Sequence, residues 1–290
     1  MPKIDIDQNR CNKDGLCVMV CPMNVLVQEE QRAIPNVARE KLCISCGHCL
    51  AVCPQGAIAH AGVSQEMIRP VLQECLPAPE MLTHLINVRR SVRALKDTPV
   101  EKELVEQVIH AARFAPSGHN VQSTEYVVVQ DQAMLRQVVR LTAKSLETIS
   151  GLFGNPLLQP ALSWLFRDRY ENIGLIAKEF KLLAGMAEAG EDKILHCAPA
   201  LVVFHARQSA VFAGVNANMA AQNASLMAQS LGLGAFYTGY VVFACEMDNS
   251  IPKLLGVPNH HRIYAGLALG HPAVRYTHWI EKEAPKIRWM

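Results

Sequence analysis

Seven of the ten cysteines in this 290-residue chain lie between Cys11 and Cys53, and their spacing points to metal chemistry. Residues 43–54, CISCGHCLAVCP, follow the pattern C-x2-C-x2-C-x3-C-P. Spacers this short let one tight loop aim several thiolates at a common centre. In a cytosolic chain such clustering favours metal ligands over disulfide bonds.

The same pattern occurs once more, earlier in the chain. Shifted by 32 residues, it falls on residues 11–22, CNKDGLCVMVCP, where three of the four cysteines and the proline coincide. The copies differ at one ligand position, because Cys46 falls on Asp14. A zinc ribbon could use Cys46, Cys49 and a partner pair as its four ligands. It does not explain two cysteine–proline terminators at a fixed offset, so the repeat favours iron–sulfur clusters.

These motifs closely resemble the bacterial two-cluster ferredoxins, in which the cysteine before proline ligates the other cluster. The resemblance implies one complete [4Fe–4S] site, whose ligands are Cys21, Cys43, Cys46 and Cys49. It implies a second site with Cys11, Cys17 and Cys53, and with Asp14 at the fourth corner. A carboxylate binds iron less strongly than thiolate where soft ligands are favoured. The second cluster is therefore expected to be [3Fe–4S], or an Asp-ligated [4Fe–4S] with a labile fourth iron.

Composition excludes several other classes of protein. Hydrophobic residues make up 50% of the chain and charged residues 19%, which favours a folded core over disorder. The net charge is +2 and the basic residues are scattered, so nothing indicates nucleic-acid binding. No segment has the apolar length of a membrane span, and the start MPKIDIDQNR is too polar for a signal peptide. We expect a cytoplasmic protein without a membrane or nucleic-acid partner.

The chain is predicted to contain two domains joined by a linker. The cysteine repeat occupies residues 1–62, a segment with three prolines spans 63–80, and the larger domain covers 81–290. In the larger domain, residues 99–115 have the pattern of an amphipathic helix with Pro99 in its first turn, and 215–233 predict a long buried helix. Three segments favour strands: 124–130, 199–206 and 261–270. This alternation predicts an α/β or α+β layered domain.

Six segments of the larger domain resemble the nitroreductase family of flavoproteins, in the order that the family has them. They are RRSVR (89–93), ARFAPSGHNVQS (112–123), APALVVF (198–204), SLGLGAFYTGY (230–240), LALGHP (267–272) and PKIR (285–288). The resemblance implies an α+β chain, with a small ferredoxin-like domain followed by a three-layer α/β/α domain. It also implies an FMN cofactor and a homodimer with the flavins at the subunit interface.

The resemblance also assigns residues to the FMN phosphate and ribityl chain. A dianionic phosphate needs several cations together with hydroxyl or backbone donors. The assigned residues are Arg89, Ser91, Arg93, Lys286 and Arg288. Each cation taken alone is more typical of a solvated surface charge, and the combination with the serine favours phosphate binding.

Two further segments match parts of the family that contact the flavin ring. Pro116, Ser117, Gly118 and Asn120 match a loop that a neighbouring subunit contributes, although Pro-Ser-Gly also suits an ordinary turn. Gly239 would allow the backbone to approach flavin N5 closely. Residues 152–193 fall where relatives have a variable lid. Their aromatic residues, Trp164, Phe166 and Tyr170, could line a substrate pocket or simply pack.

The expected function is that of an FMN-dependent iron–sulfur oxidoreductase of nitroreductase type. The clusters would relay electrons to the flavin, which would reduce nitroaromatic, quinone or similar small acceptors. A ferredoxin-type or nicotinamide donor would supply the electrons, and no catalytic side chain can be identified. Two alternatives remain: an electron-transfer module of a larger redox complex, or a flavin-dependent enzyme similar to reductive dehalogenases.

Overall fold

A computed structural model describes residues 4–165 and 173–290, and the chain divides into two compact units. The first unit comprises Met1–Pro77 together with the four residues Gly118–Val121. The second comprises Ala78–Ser117 and Gln122–Met290. None of the described helices is long and apolar enough to cross a membrane.

The first unit contains two small antiparallel ladders and two short helices. Its elements are β1 (Ile4–Ile6), α1 (Leu16–Met19), β2 (Leu26–Val27), β3 (Asn36–Val37), α2 (His48–Val52) and β4 (Ile58–His60). Strand β1 pairs with β4, and β2 pairs with β3. Ile4, Leu26, Leu50 and Ile58 are buried together and form the core of this unit.

The backbone of the first unit repeats as the sequence does. Three pairs of residues 32 positions apart share a left-handed backbone: Lys13 and Ser45 (φ 63° and 53°), Gly15 and Gly47 (φ 72° and 74°), Asn24 and Gly56 (φ 49° and 54°). Positive φ is uncommon outside glycine, so its recurrence at matching positions is specific. Both cysteine motifs therefore fold into the same loop followed by the same helix.

The segment 63–80 contains only two 3-10 turns, Gln65–Met67 and Gln73–Cys75, before a helix begins. That helix, α3 (Pro79–Val88), starts with proline at its first position, where no backbone N–H is needed.

The second unit is built around one four-stranded sheet. After α3 its elements are α4 (Lys102–Ala112), β5 (Glu125–Val129), α5 (Gln132–Phe153), α6 (Gln159–Leu165), α7 (Ile173–Glu188), β6 (Ala200–Arg207), α8 (Ala213–Ser230), β7 (Gly234–Tyr237), α9 (Gly239–Met247), α10 (Ser250–Leu254) and β8 (His261–Gly270). The strands are antiparallel in the order β5-β6-β8-β7.

Helices cover both faces of this sheet, which gives three layers. Successive side chains of a strand point to opposite faces. Leu201 and Val203 of β6 pack in one core with α5, α7 and α9. Val202 and Phe204 pack in the other core with α4 and α8. The α+β class and the three-layer arrangement expected from the sequence are confirmed.

Three details of the secondary-structure prediction were wrong. Helix α4 begins at Lys102 after an extended Glu101, so Pro99 lies before the helix and not in its first turn. Strand β7 was missed because it is short and follows the helix end at Gly232, whose φ is 75°. Helix α8 is buried along its alanine side only, since Val215 and Met219 are exposed.

Candidate functional site

The four cysteines assigned to the complete cluster line one pocket in the first unit. Cys21 comes from the first motif, and Cys43, Cys46 and Cys49 come from the second. Apolar side chains, among them Ile4, Val25 and Leu26, surround them. Cys21 lies with the cysteines of the second motif because the pairing of β1 with β4 and of β2 with β3 brings the two copies of the motif side by side.

The electrostatics of this pocket suit a cationic, thiolate-binding centre. Burial, together with the neighbouring Cys46, Cys43 and Cys21, raises the pKa of Cys49 to about 11. Four thiolates this close together repel one another unless cations lie among them. Thiolate ligands favour iron–sulfur clusters and bind as the thiol protons leave. The donor set therefore fits a [4Fe–4S] cluster.

Backbone donors already point at these sulfurs. The N–H of Val25 donates to Cys21 Sγ at 3.2 Å, and the N–H of Ser45 donates to Cys43 Sγ at 3.4 Å. His60 Nε2 lies 3.6 Å from Cys43 Sγ, a contact that the sequence did not indicate. Hydrogen bonds to cluster sulfurs are one of the means by which a protein sets a reduction potential.

The second set of ligands is also gathered, with one difference. Burial raises the pKa of Cys17, and Cys11, Cys53 and Asp14 all lie near enough to raise it further. Asp14 is exposed, and its Oδ1 accepts the N–H of Leu16 at 3.0 Å. The Asp14 carboxylate thus lies near these cysteines and accepts a hydrogen bond from the first residue of α1.

In the second unit, the segment with Arg89, Ser91 and Arg93 runs beside β7. Ser91 forms a parallel bridge with Ala235, and the N–H of Val92 donates to the carbonyl of Ala235 at 3.0 Å. The Arg93 guanidinium lies 5.6 Å from the centre of the Phe236 ring. Two cations and a hydroxyl are therefore placed along one segment beside β7, the donor set that an FMN phosphate needs.

Gly239 lies just beyond the end of the same strand, as the first residue of α9. No atom lies within 4 Å of the position that a Cβ would take there, so the space beside it is open. This fits the close backbone approach expected for a flavin ring.

Next to Gly239, Tyr240 forms a polar contact that the sequence did not reveal. Its hydroxyl donates to a carboxylate oxygen of Glu179 on α7. Burial and this hydrogen bond raise the pKa of Tyr240 to about 12, whereas the charge of Arg93 lowers it. Tyr240 ends the segment SLGLGAFYTGY, whereas Glu179 lies 61 residues earlier in the region that matches the variable lid.

The loop that contains Pro116, Ser117, Gly118 and Asn120 is divided between the two units. Ser117 Oγ accepts the N–H of Gln122 at 3.0 Å and lines a groove with Pro116 and Arg113. Arg113 is a further cation beside this loop that the sequence comparison did not single out.

Within the first unit, Asn120 bonds to the loop that holds the complete cluster. Its Nδ2 donates to the carbonyl of Ser45 at 2.9 Å and to that of Ile44 at 3.4 Å. His119 and Asn120 have positive φ angles of 52° and 54°. Asn and His adopt this left-handed conformation more readily than most residues other than glycine.

The remaining predicted residues are not brought together in the single chain. Lys286 and Arg288 lie in an exposed tail after β8 and form no hydrogen bond or ion pair within the described residues. Trp164 is exposed, and Phe166 and Tyr170 lie outside the described residues.

Comparison with known proteins decides the family. Residues 86–271 match the nitroreductase family, and residues 9–58 match the 4Fe-4S dicluster domain. The chain belongs to the nitroreductase family. It also carries a 4Fe-4S dicluster domain, so both resemblances seen in the sequence are confirmed.

Among relatives of this nitroreductase-family chain, the FMN reductase [NAD(P)H] of Bacillus subtilis (strain 168) is 27% identical over 186 residues. That match covers 64% of each chain, so this chain spans less than two thirds of that relative. The 4-nitrobenzoate reductase of Nocardioides sp. (strain LMS-CY) is 26% identical over 71% of this chain and 86% of its own length.

Among solved structures, iodotyrosine deiodinase bound to FMN and 3-iodo-L-tyrosine has a similar fold. It is 22% identical, with a TM-score of 0.51, over 72% of this chain and 98% of its own. At this level of identity the likeness supports the fold.

Proposed function

We propose that this chain is an FMN-dependent reductase of nitroaromatics, quinones or similar small acceptors, and that its two iron–sulfur clusters relay electrons to the flavin. Electrons would enter from a ferredoxin-type or nicotinamide donor. When bound, FMN would supply the redox chemistry, because it can accept electrons one at a time and deliver two. The reduced thiols that cluster ligands require fit a cytoplasmic location.

One observation carries the relay more than any other. Asn120, in the segment that matches the flavin-edge loop, donates hydrogen bonds to Ile44 and Ser45, which lie between two ligands of the complete cluster. The cluster loop and the flavin-edge loop are thereby joined by side-chain hydrogen bonds within one unit. A chain whose clusters served only an external partner would have no need of this connection.

Residues of the second unit would hold the flavin, and Tyr240 would keep its hydroxyl proton. Arg89, Ser91 and Arg93 would bind the phosphate and ribityl chain, and Gly239 would leave room for the ring. The raised pKa of Tyr240 keeps its hydroxyl proton in place at neutral pH, where it is donated to Glu179. That tyrosine therefore positions α7 and does not act as a ready acid.

A homodimer would complete the flavin site. The C-terminal tail exposes Ile280, Ile287 and Trp289, with 70%, 60% and 89% of their surface accessible. Apolar side chains this exposed suit burial against a partner. In an isologous dimer, the tail of one subunit could bring Lys286 and Arg288 to the phosphate held by the other. Light scattering on the full chain and on a variant ending at residue 278 tests this proposal. A full chain that is monomeric and still retains FMN would contradict it.

The relay is tested by reducing the loaded protein and following flavin absorbance. In Cys46→Ala, the complete cluster loses a ligand, and we expect flavin reduction by reduced ferredoxin to slow at least about 10-fold. Cys75→Ala is the matched control, because Cys75 is exposed and lies outside both motifs. Equal rates of flavin bleaching in the two variants would refute the relay.

Reductive dehalogenation is the second candidate, supported by the fold shared with an FMN-bound iodotyrosine deiodinase. Turnover by the loaded protein with a nitroaromatic, a quinone and a halogenated phenol as parallel substrates separates the two activities. An electron-transfer module of a larger complex would turn over none of them.

A further inference from the structure

Three side chains of metal-ligand type meet at one end of the sheet in the second unit. Glu125 begins β5, His261 begins β8, and His205 lies two residues before the end of β6. Glu125 pairs with His205, and His261 pairs with Arg207. Residues paired across strands share a face, as do residues two apart, so all three side chains project from the same face.

Their ligand atoms converge. The Nδ1 atoms of His205 and His261 are 2.9 Å apart, and a carboxylate oxygen of Glu125 lies 3.9 Å from the other ring nitrogen of His261, Nε2. One donor atom from each of the three residues lies within 4.8 Å of the others. The two histidines are buried, with 4% and 8% of their surface accessible. The Glu125 side chain is 60% accessible, so the group opens to solvent on the glutamate side.

We propose that His205, His261 and Glu125 form a binding site for a divalent first-row transition-metal ion, distinct from the two cysteine clusters. Two imidazoles and one carboxylate form a ligand set that binds zinc in enzymes and non-haem iron in oxygenases. If each nitrogen lies about 2.1 Å from the ion, a separation of 2.9 Å gives an N–metal–N angle of about 90°. That angle suits octahedral coordination, in which solvent fills the remaining positions.

The surroundings hold the ligands in this arrangement. The ring of His260 packs edge-on against that of His261, with the ring centres 4.6 Å apart. The register of β5, β6 and β8 sets the positions of the three ligands before any ion binds. An ion here would link three adjacent strands at one point.

A hydrogen-bonded pair of neutral histidines is the competing explanation. One proton shared between the two Nδ1 atoms would satisfy both rings without any ion. In that case the glutamate would be dispensable, because it lies too far from His261 Nε2 for a hydrogen bond. The two explanations therefore differ in what they require of Glu125.

Zinc binding to the protein loaded with clusters and flavin decides between them. Zn²⁺ alone is the probe, measured by equilibrium dialysis and metal analysis, while visible absorbance and iron content monitor the clusters. We expect one zinc per chain without loss of iron, and an affinity at least about 10-fold weaker in Glu125→Gln and in His261→Gln. Glu106→Gln, an exposed glutamate on α4 paired with Lys102, is the control and should bind as the parent does.

Glu125 is exposed, so its substitution tests the site even if His261→Gln fails to fold. Equal zinc affinity in Glu125→Gln and Glu106→Gln would overturn the proposal. So would zinc uptake that occurs only with loss of iron from the clusters, or the absence of binding at about 100 µM zinc, a concentration at which His–carboxylate sites are expected to fill.

Discussion

The two cysteine loops of the first unit share a backbone and differ in what completes them. In the second loop, the side chain at the middle ligand position is Cys46, which lines a pocket; in the first loop it is Asp14, which is exposed and bonds to α1. The two repeats thus share their backbone geometry and differ in the side chain at this ligand position. Equal backbones do not imply equal clusters.

The carbonyls at the left-handed positions of these loops differ as well. The carbonyl of Lys13 accepts Gln28 Nε2 at 3.3 Å, whereas the matching carbonyl of Ser45 accepts Asn120 Nδ2 at 2.9 Å. Gln28 is 15 residues away, but Asn120 comes from the flavin-edge segment, 75 residues along the chain. One loop is thus stabilised by a residue close in sequence, and the other by a residue from a distant segment of the chain.

The largest expected effect comes from removing a cysteine of one loop that is predicted to ligate the cluster of the other loop. Cys21→Ala should remove the complete cluster, although Cys21 belongs to the first motif, and should leave the Asp14 side intact. Cys53→Ala should do the opposite. Iron and sulfide analysis with EPR of the dithionite-reduced protein distinguishes them, and a swapped outcome would contradict the crossed ligation.

A smaller change should make the loops alike. Asp14→Cys supplies the missing thiolate, so the second site should hold a stable [4Fe–4S] cluster and gain about one iron. EPR of the air-oxidised protein should show a [3Fe–4S] signal in the parent and none in this variant. Asp14→Ala is the matched control and should keep the signal. Absence of the signal in the parent after air exposure would mean that aspartate holds the fourth iron firmly.

Two matched amide-to-acid substitutions test the carbonyl contacts. Asn120→Asp and Gln28→Glu each remove an amide donor and place a carboxylate near a carbonyl, which should cost about 1–3 kcal/mol of unfolding free energy. Aspartate tolerates the left-handed backbone of Asn120, so the backbone is not the variable. Denaturant unfolding should report similar losses in both variants.

Hydrogen exchange should then distinguish the Asn120→Asp variant from the Gln28→Glu variant. Residues 118–121 should lose protection in Asn120→Asp and keep it in Gln28→Glu. Flavin reduction by reduced ferredoxin should slow only in the former. Equal rates in both would mean that the Asn120 contact is structural and has no part in electron transfer.

These contacts show which features of the protein the sequence alone could predict. The ligand groups were predictable because each depends on spacing within one short motif and on a repeat of fixed offset. Strands β5, β6 and β8 were predictable from runs of β-branched residues. The Asn120 contact and the Tyr240–Glu179 hydrogen bond were not, because they join distant residues whose pairing only the tertiary fold determines. The sequence did not predict the short edge strand β7 for the same reason, because only its pairing with β8 makes this segment a strand.

The smallest expected difference lies in the glycines that begin the two helices. Gly15 and Gly47 both have positive φ, so alanine at either position should cost about 1–2 kcal/mol. An added Cβ at Gly15 would lie 2.6 Å from Gln28 Oε1, but at Gly47 it would meet no atom within 4 Å. Gly15→Ala should therefore be slightly the more destabilising in thermal unfolding. The reverse order would show that Gln28 moves aside freely.

The central claim is that one chain holds both electron-relay clusters and a flavin. An absorbance spectrum of anaerobically purified protein, combined with iron, sulfide and flavin quantification, tests it most directly. The account predicts about one FMN, about seven or eight iron atoms and about eight sulfides per chain. Flavin without iron would remove the relay, and iron without flavin would remove the reductase.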